Sequence, residues 1–208
     1  DSIEAVTLGE IDMTSVAELQ FAPNIKEFYV FNADYLFDDL KDAKAKLDGE
    51  QGDLLKKAAD DKNMGVKVAA FFGSSGRIFW NNVREVNTLA DFQGIKSRAP
   101  ENPINIAELE ALGCIPTPMA WNELYTGLQQ GTVDGLVSSK MPIIQQGLID
   151  VLKYATDTNH SYSINVILIS SAKYNSFSEE QRAAYDKAIA GAAEEEWKIA
   201  MKEEEDSV

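Results

Sequence analysis

Cysteine and histidine are nearly absent: one of each, Cys114 and His160, stands in 208 residues. A single cysteine excludes an intrachain disulfide and any multi-cysteine metal site. One histidine leaves little for zinc, which takes several His or Cys ligands. No metal and no cofactor are therefore expected. A reactive thiol needs a base beside it, and His160 is the sole histidine that could serve. A buried, inert side chain is the plainer reading of Cys114.

Long apolar runs are missing too. No stretch of about eighteen apolar residues exists, so direct membrane insertion is not expected. The opening "DSIEAVTLGEIDM" has neither a basic n-region nor an apolar h-region, so no signal peptide is read there. Basic charge is scarce: 34 acids against 19 bases give −15. That excludes a nucleic-acid footprint, which must be positive. It does not exclude a small anion, because one pocket can be locally positive in a negative protein. Motifs for chemistry are also lacking. The glycine-rich "FFGSSGR" (71–77) has the wrong spacing for a phosphate loop and runs on into β-favouring residues. It reads as a hinge or turn, with Gly73 and Gly76 supplying unusual backbone angles. No nucleophile elbow G-x-S-x-G occurs, no carboxylate pair stands apart from the many acids, and no enzyme is expected.

What is present alternates. Apolar or β-branched segments at 66–72, 95–99, 132–139 and 164–170 read as strands. The last, "INVILIS", is a continuous run of the kind buried in a parallel sheet. Helical patterns lie between. "LFDDLKDAKAKLD" puts Leu36, Leu40, Ala43 and Leu47 on one stripe. "EQGDLLKKAADDKNMG" ends with Gly65 as C-cap candidate, and "NIAELEALG" ends at Gly113. In "WNELYTGLQQG", Asn122 can cap the start and Gly131 the end. Ser178-Glu179-Glu180-Gln181 is a capping box opening one long acidic helix. Strands alternating with helices specify an α/β chain with mainly parallel sheet. With no low-complexity linker, two lobes would be joined by crossing strands, near 73–77 and 159–163.

Arginine is the scarce base: four against fifteen lysines. One of the four, Arg98, ends the strand in "DFQGIKSRAP", where Pro100 stops the ladder. Ligand sites in α/β sheets gather beyond the carboxyl ends of strands. A guanidinium there suits a carboxylate held bidentately. From spacing alone, an ordinary surface ion pair remains the plainer reading of Arg98.

The stretch from Leu89 to Gly135 bears on that choice. "LADFQGIKSRAP" followed by "ALGCIPTPMAWNELYTGLQQGTVDG" strongly resembles the extracytoplasmic solute-binding proteins of TRAP (tripartite ATP-independent periplasmic) transporters. The family segments D-x-x-G-[LI]-K-x-R-x-P, A-x-G-x-x-P-x-P-[MLV] and aromatic-x-E-x-Y-x-x-L-Q-x-G-x-x-D-G occur in order and at family spacing. "GEIDMTSVAE" (9–18), "TNHSY" (158–162) and "KYNSFSEEQR" (173–182) also resemble family segments.

The resemblance implies a two-lobed periplasmic-binding-protein-like fold with mixed, mainly parallel sheets and a long C-terminal helix. Residues 1–75 and 164–208 would form the first lobe, 76–163 the second. The lobes would close on a small organic acid, with C4-dicarboxylates among the candidates, outside the cytoplasm. The receptor would be free in the periplasm or lipid-anchored at the membrane's outer face. The acid would pass to the TRAP membrane permease subunits, or, as an alternative, the receptor would feed a sensor kinase. Arg98 matches the family's signature carboxylate ligand. Arg77 matches a second arginine, with Arg84 as fallback. Glu18 falls in a family segment and joins the expected ligand set. Ser138 stands where relatives often carry Asn, and Trp121 where they often carry Phe. An indole there would stack on the ligand or simply pack between lobes. Relatives begin with a strand-helix-strand unit before the "GEIDM" region and continue past "EEEDSV". On that resemblance the first lobe is expected to be incomplete.

Overall fold

The computed structural model of the chain describes residues 2–205. In chain order the elements begin with α1 (Ser2–Leu8), β1 (Met13–Ala17), α2 (Glu18–Phe21), α3 (Leu40–Leu47), α4 (Glu50–Lys62) and β2 (Val66–Gly76). Next come β3 (Ile78–Asn81), β4 (Lys96–Ala99), α5 (Pro103–Ala111), β5 (Ile115–Pro118), α6 (Leu124–Gln130), β6 (Gly135–Ser138), α7 (Lys140–Gln145) and β7 (Tyr154–Thr156). The chain closes with β8 (Tyr162–Ser170), α8 (Ser171–Ser176) and α9 (Glu179–Glu205). It divides into two compact units. One takes the chain up to Ser75 and again from Ser161; the other is Gly76–His160.

The first unit carries a three-stranded sheet in the order β1-β8-β2. β8 runs antiparallel to β1, with Met13 opposite Ile169 and Ala17 opposite Asn165. Its pairing with β1 is therefore not the parallel one expected from the apolar run 164–170. Such a run reports burial on both faces and carries no information about a neighbour's direction. The core is aromatic: Phe21 and Phe28 meet edge to face at 4.9 Å, and Phe31 and Phe71 pack beside Phe28. Leu40, Ala43 and Leu47 bury the expected stripe of α3, whose start is capped by Asp39 accepting from the Asp42 N–H at 2.7 Å. Leu36 lies before that helix and packs against the same core.

α9 forms over 27 residues and opens on the capping box as read: Gln181 N–H donates to Ser178 Oγ, and Ser178 N–H to Gln181 Oε1. Its anchor is Trp197, fully buried, whose indole N–H donates to the Phe71 carbonyl at 3.1 Å. This explains Gly73. Neither Gly73 nor Gly76 has a positive φ, so the expected unusual angles are absent. β2 instead runs straight through "GSSG", and a Cβ on Gly73 would lie 2.3 Å from Trp197 Cζ3. The glycine makes room for the indole. Gly65 also differs from its expected role. α4 stops at Lys62 with Asn63 as the left-handed cap, and Gly65 (φ +88°) turns the chain into β2.

The second unit is built on a five-stranded mixed sheet, β5-β4-β6-β3-β7. β4 pairs parallel with β5 and with β6; β3 pairs antiparallel with β6 and with β7. Side chains alternate across the pleat of β3. Trp80 enters a core with Leu124, Leu128, Leu136 and Ile143, while Phe79 enters one with Phe92, Ile95 and Leu109. The dipeptide Asp134-Gly135 fastens the centre. Asp134 accepts the Lys96 N–H at 3.0 Å, and a Cβ on Gly135 would come 2.2 Å from the Trp80 carbonyl oxygen. α5 ends at Ala111 with Gly113 at φ +83°, and α6 ends with Gly131 as the left-handed cap. Asn122 is not a cap. The chain leaves β5 extended through Ala120, makes a 3₁₀ turn over Trp121–Glu123, and forms α-helical bonds only from Leu124.

Candidate functional site

Strand direction gathers the candidate residues of the second unit. Arg98 lies opposite Thr117 on β5 and Leu136 on β6. Because both neighbours are parallel, β4, β5 and β6 all end at one edge of the sheet. β3 starts at that edge, with Ile78 opposite Ser138, so Arg77 just before it falls there as well. β7 ends there too, with Thr156 opposite Phe79, and Thr158 and His160 follow. Arg77, Arg98, Trp121, Ser138 and His160 thus converge from separate strands. Sites of α/β sheets form in this way, beyond the carboxyl ends of parallel strands.

Arg98 is half-buried. Its Nε–H donates to the Met119 carbonyl at 2.9 Å, and its guanidinium lies 5.6 Å from the Trp121 ring centroid. No carboxylate forms an ion pair with it among the described residues. Burial, and then the like charge of Arg77, pull the Arg98 guanidinium down to about 10. It stays cationic at neutral pH but is held there at a cost. Arg77 is 9% exposed, and its carbonyl accepts the Thr158 hydroxyl at 3.4 Å. An acidic chain has therefore placed one of its four arginines where burial and the charge of Arg77 make its cation less favourable. An anion offsets both the desolvation and the repulsion.

The edge carries a polar array as well. Thr158 Oγ1 lies 2.7 Å from His160 Nδ1, and His160 Nε2 is 3.3 Å from Glu108 Oε1. The second contact is a close approach without hydrogen-bond alignment, since Nε2 finds no aligned partner. Burial pushes the Glu108 carboxyl up, but His160, Asn105 and Arg77 together hold it below its ordinary value. Ser138 is half-buried on β6, and its carbonyl accepts the Trp80 indole N–H at 2.9 Å.

Glu18 belongs to the first unit. It is fully buried at the start of α2 and accepts the Ile164 N–H at 3.2 Å, tying α2 to β8. Arg84, the fallback second arginine, donates to the carbonyls of Asp91 and Gln93, at 2.9 and 2.6 Å, and staples that loop. Cys114 donates its weak S–H to the Phe92 carbonyl, and burial pushes its thiol up to about 11. The sequence reading did not single out the Met119 carbonyl or Glu108. A backbone acceptor leaves no mark in side-chain identity, and Glu108 is one acid among 34.

The whole chain, residues 1–208, matches the family of bacterial extracellular solute-binding proteins, family 7 (DctP), and belongs to it. This is a family of transport solute-binding proteins, not of enzymes. The chain is 32% identical over 193 residues to the 2,3-diketo-L-gulonate-binding periplasmic protein YiaO of Escherichia coli. That alignment covers 93% of this chain and 57% of the relative. Among solved structures, the sugar acid binding protein DctPAm of Advenella mimigardefordensis, in complex with galactonate, superposes with a TM-score of 0.91 at 29% identity. It is matched by 99% of this chain over 66% of its own. A TRAP periplasmic solute-binding protein of Bordetella bronchispeptica, with density assigned to pantoate, gives 0.89 at 34% identity. There the match covers 98% of this chain and 67% of that one. The chain thus spans a little over half the length of the curated relatives it matches. No helix among the described residues is long and apolar enough to cross a membrane.

Proposed function

We propose that this chain serves a TRAP-type solute receptor, which captures a small organic acid outside the cytoplasm and delivers it to a membrane permease. The carboxylate is held by Arg98, with Arg77 adding positive potential and Trp121 forming an apolar wall. The observation that carries this reading is the half-buried Arg98 beside Arg77, with Nε engaged by Met119 and, among the described residues, no carboxylate paired to the guanidinium. A half-buried guanidinium depressed by burial and by a second arginine, in a chain of charge −15, is suited to receive an anion. The acids named for the similar structures, galactonate and pantoate, support a hydroxylated monocarboxylate as the first class to try. Ser138 supplies a hydroxyl at the same sheet edge for the far end of such an acid. The receptor acts in the periplasm or lipid-anchored at the membrane face, and it does not turn its acid over.

The test is calorimetric titration of the purified protein with galactonate, glucuronate, pantoate and succinate, alongside Arg98→Ala. Binding of at least one acid by the parent and not by the variant supports the reading. Equal binding by both, or binding of none, overturns it.

A further inference from the structure

We infer that Gly127 and Met119 are positioning residues that aim the Arg98 guanidinium. The inference rests on reading Arg98 as the carboxylate ligand. Met119 is pinned at both backbone groups to the end of β4. Its N–H donates to the Ala99 carbonyl at 3.1 Å, and its carbonyl accepts Arg98 Nε–H at 2.9 Å. With Nε occupied, the pair of Nη groups is the part of the fork left to grip a carboxylate end-on.

The Met119 thioether sits against Gly127, and in this proposal that seat keeps the carbonyl in line with Arg98 Nε–H. A Cβ on Gly127 would fall 2.8 Å from Met119 Sδ and 2.9 Å from Cε. Gly127 is buried within α6 and has no positive φ. Its backbone therefore does not require glycine, and glycine weakens a helix interior relative to alanine. What the missing Cβ supplies is the notch for the thioether. Trp121, two residues after Met119, lies over the same guanidinium, so a shift of this turn moves both the acceptor and the ring.

The readout is the Arg98 Nε–H resonance, assigned by its loss in Arg98→Lys, and its exchange with solvent in the ligand-free protein. In the parent it exchanges slowly, because the hydrogen bond must open first. Gly127→Ala is expected to speed exchange at least tenfold, and to weaken binding of whichever of galactonate or pantoate the parent binds by about tenfold. Gly127→Ala combined with Met119→Ala clears the notch and should return both readouts to within about threefold of Met119→Ala alone. A merely structural glycine would lower thermal stability and leave Nε–H exchange unchanged. Unchanged exchange in Gly127→Ala, or failure of the double variant to restore it, overturns the inference. If Gly127→Ala does not fold, Met119→Leu puts a branched carbon at the notch: faster exchange there supports the inference, and unchanged exchange overturns it. If neither acid binds the parent, or if Arg98→Ala binds as the parent does, the receptor reading falls, while the exchange measurement still decides whether Gly127 aims Arg98.

Discussion

Arg98→Met separates a binding cation from a structural one. Methionine keeps much of the stem that packs near Trp121 and removes the charge. Consider stability first. The guanidinium is pulled to about 10, which corresponds to about 3 kcal/mol against the cation at 1.36 kcal/mol per pKa unit. Solvent at this half-buried side chain screens that to about half. The sign follows from the direction: a depressed cation destabilises the fold at every pH below about 10, and the penalty fades as pH rises through that value. Removing the charge relieves it. Against this stand the lost bond to the Met119 carbonyl, about 1 kcal/mol, and the lost contact with Trp121, about 0.5–1 kcal/mol. The terms nearly cancel, so the ligand-free Tm should move by no more than about 4 °C in either direction. Binding behaves differently. Removing one member of a buried charge pair costs about 2–5 kcal/mol, so acid affinity should fall roughly 30- to several-thousand-fold. Arg98→Lys should also bind poorly, because a point charge cannot bond Met119 and present a fork together. The assays are calorimetry for affinity and differential scanning for Tm. A Tm loss well beyond 5 °C with unchanged affinity would show Arg98 to be a structural cation and refute the reasoning.

Three further outcomes are expected. Trp121→Phe should keep the fold, remove most of the ligand-dependent change in tryptophan fluorescence, and weaken acid binding by about 1 kcal/mol of lost contact; a full response in the variant would leave Trp121 a packing residue. Gly73→Ala should lower Tm by about 3–10 °C, since its Cβ would sit 2.3 Å from Trp197, and overpacking costs about 1–3 kcal/mol; an unchanged Tm in a scanning experiment would contradict this account of the glycine. Cys114, 6% exposed and with its thiol pushed up to about 11, should resist a thiol reagent at pH 8 and react fully after unfolding; rapid labelling of the native protein would place it at the surface.

The sequence was most legible where one residue's chemistry decides its local structure. The capping box at Ser178–Gln181 formed as read because both partners lie three residues apart and need nothing else. Gly131 capped α6 because a left-handed residue is cheapest as glycine. Legibility failed where a distant partner set the outcome. "GSSG" resembles a turn, but Gly73 answers to Trp197, 124 positions away in the chain, and stays extended. Asn122 has the side chain of a cap, yet the exit of β5 through Ala120 and a 3₁₀ turn delays the helix past it. Arg98 was placed at a strand's carboxyl end by its own neighbours in sequence. That Arg77 comes to the same edge required knowing that β3 runs antiparallel to β6, which no local pattern states.

That antiparallel strand is what makes the site electrostatically unusual. In an all-parallel sheet the residue preceding β3 would lie at the opposite edge from Arg98, and the two guanidiniums would not meet. Reversing one strand brings the start of β3 to the ends of β4, β5 and β6, and with it the like charge that depresses Arg98. The rest of the second unit contains the consequence: Trp121 lies over Arg98, the Met119 carbonyl takes Nε–H, and Glu108 shares its charge between His160 and Arg77. Each of these interactions stabilises a cation, and among the described residues no carboxylate forms an ion pair with Arg98. An aspartate paired to Arg98 would stabilise the fold more, and an incoming acid would have to displace it. Under the proposed reading, the depressed Arg98 cation is the group that an incoming carboxylate would stabilise most.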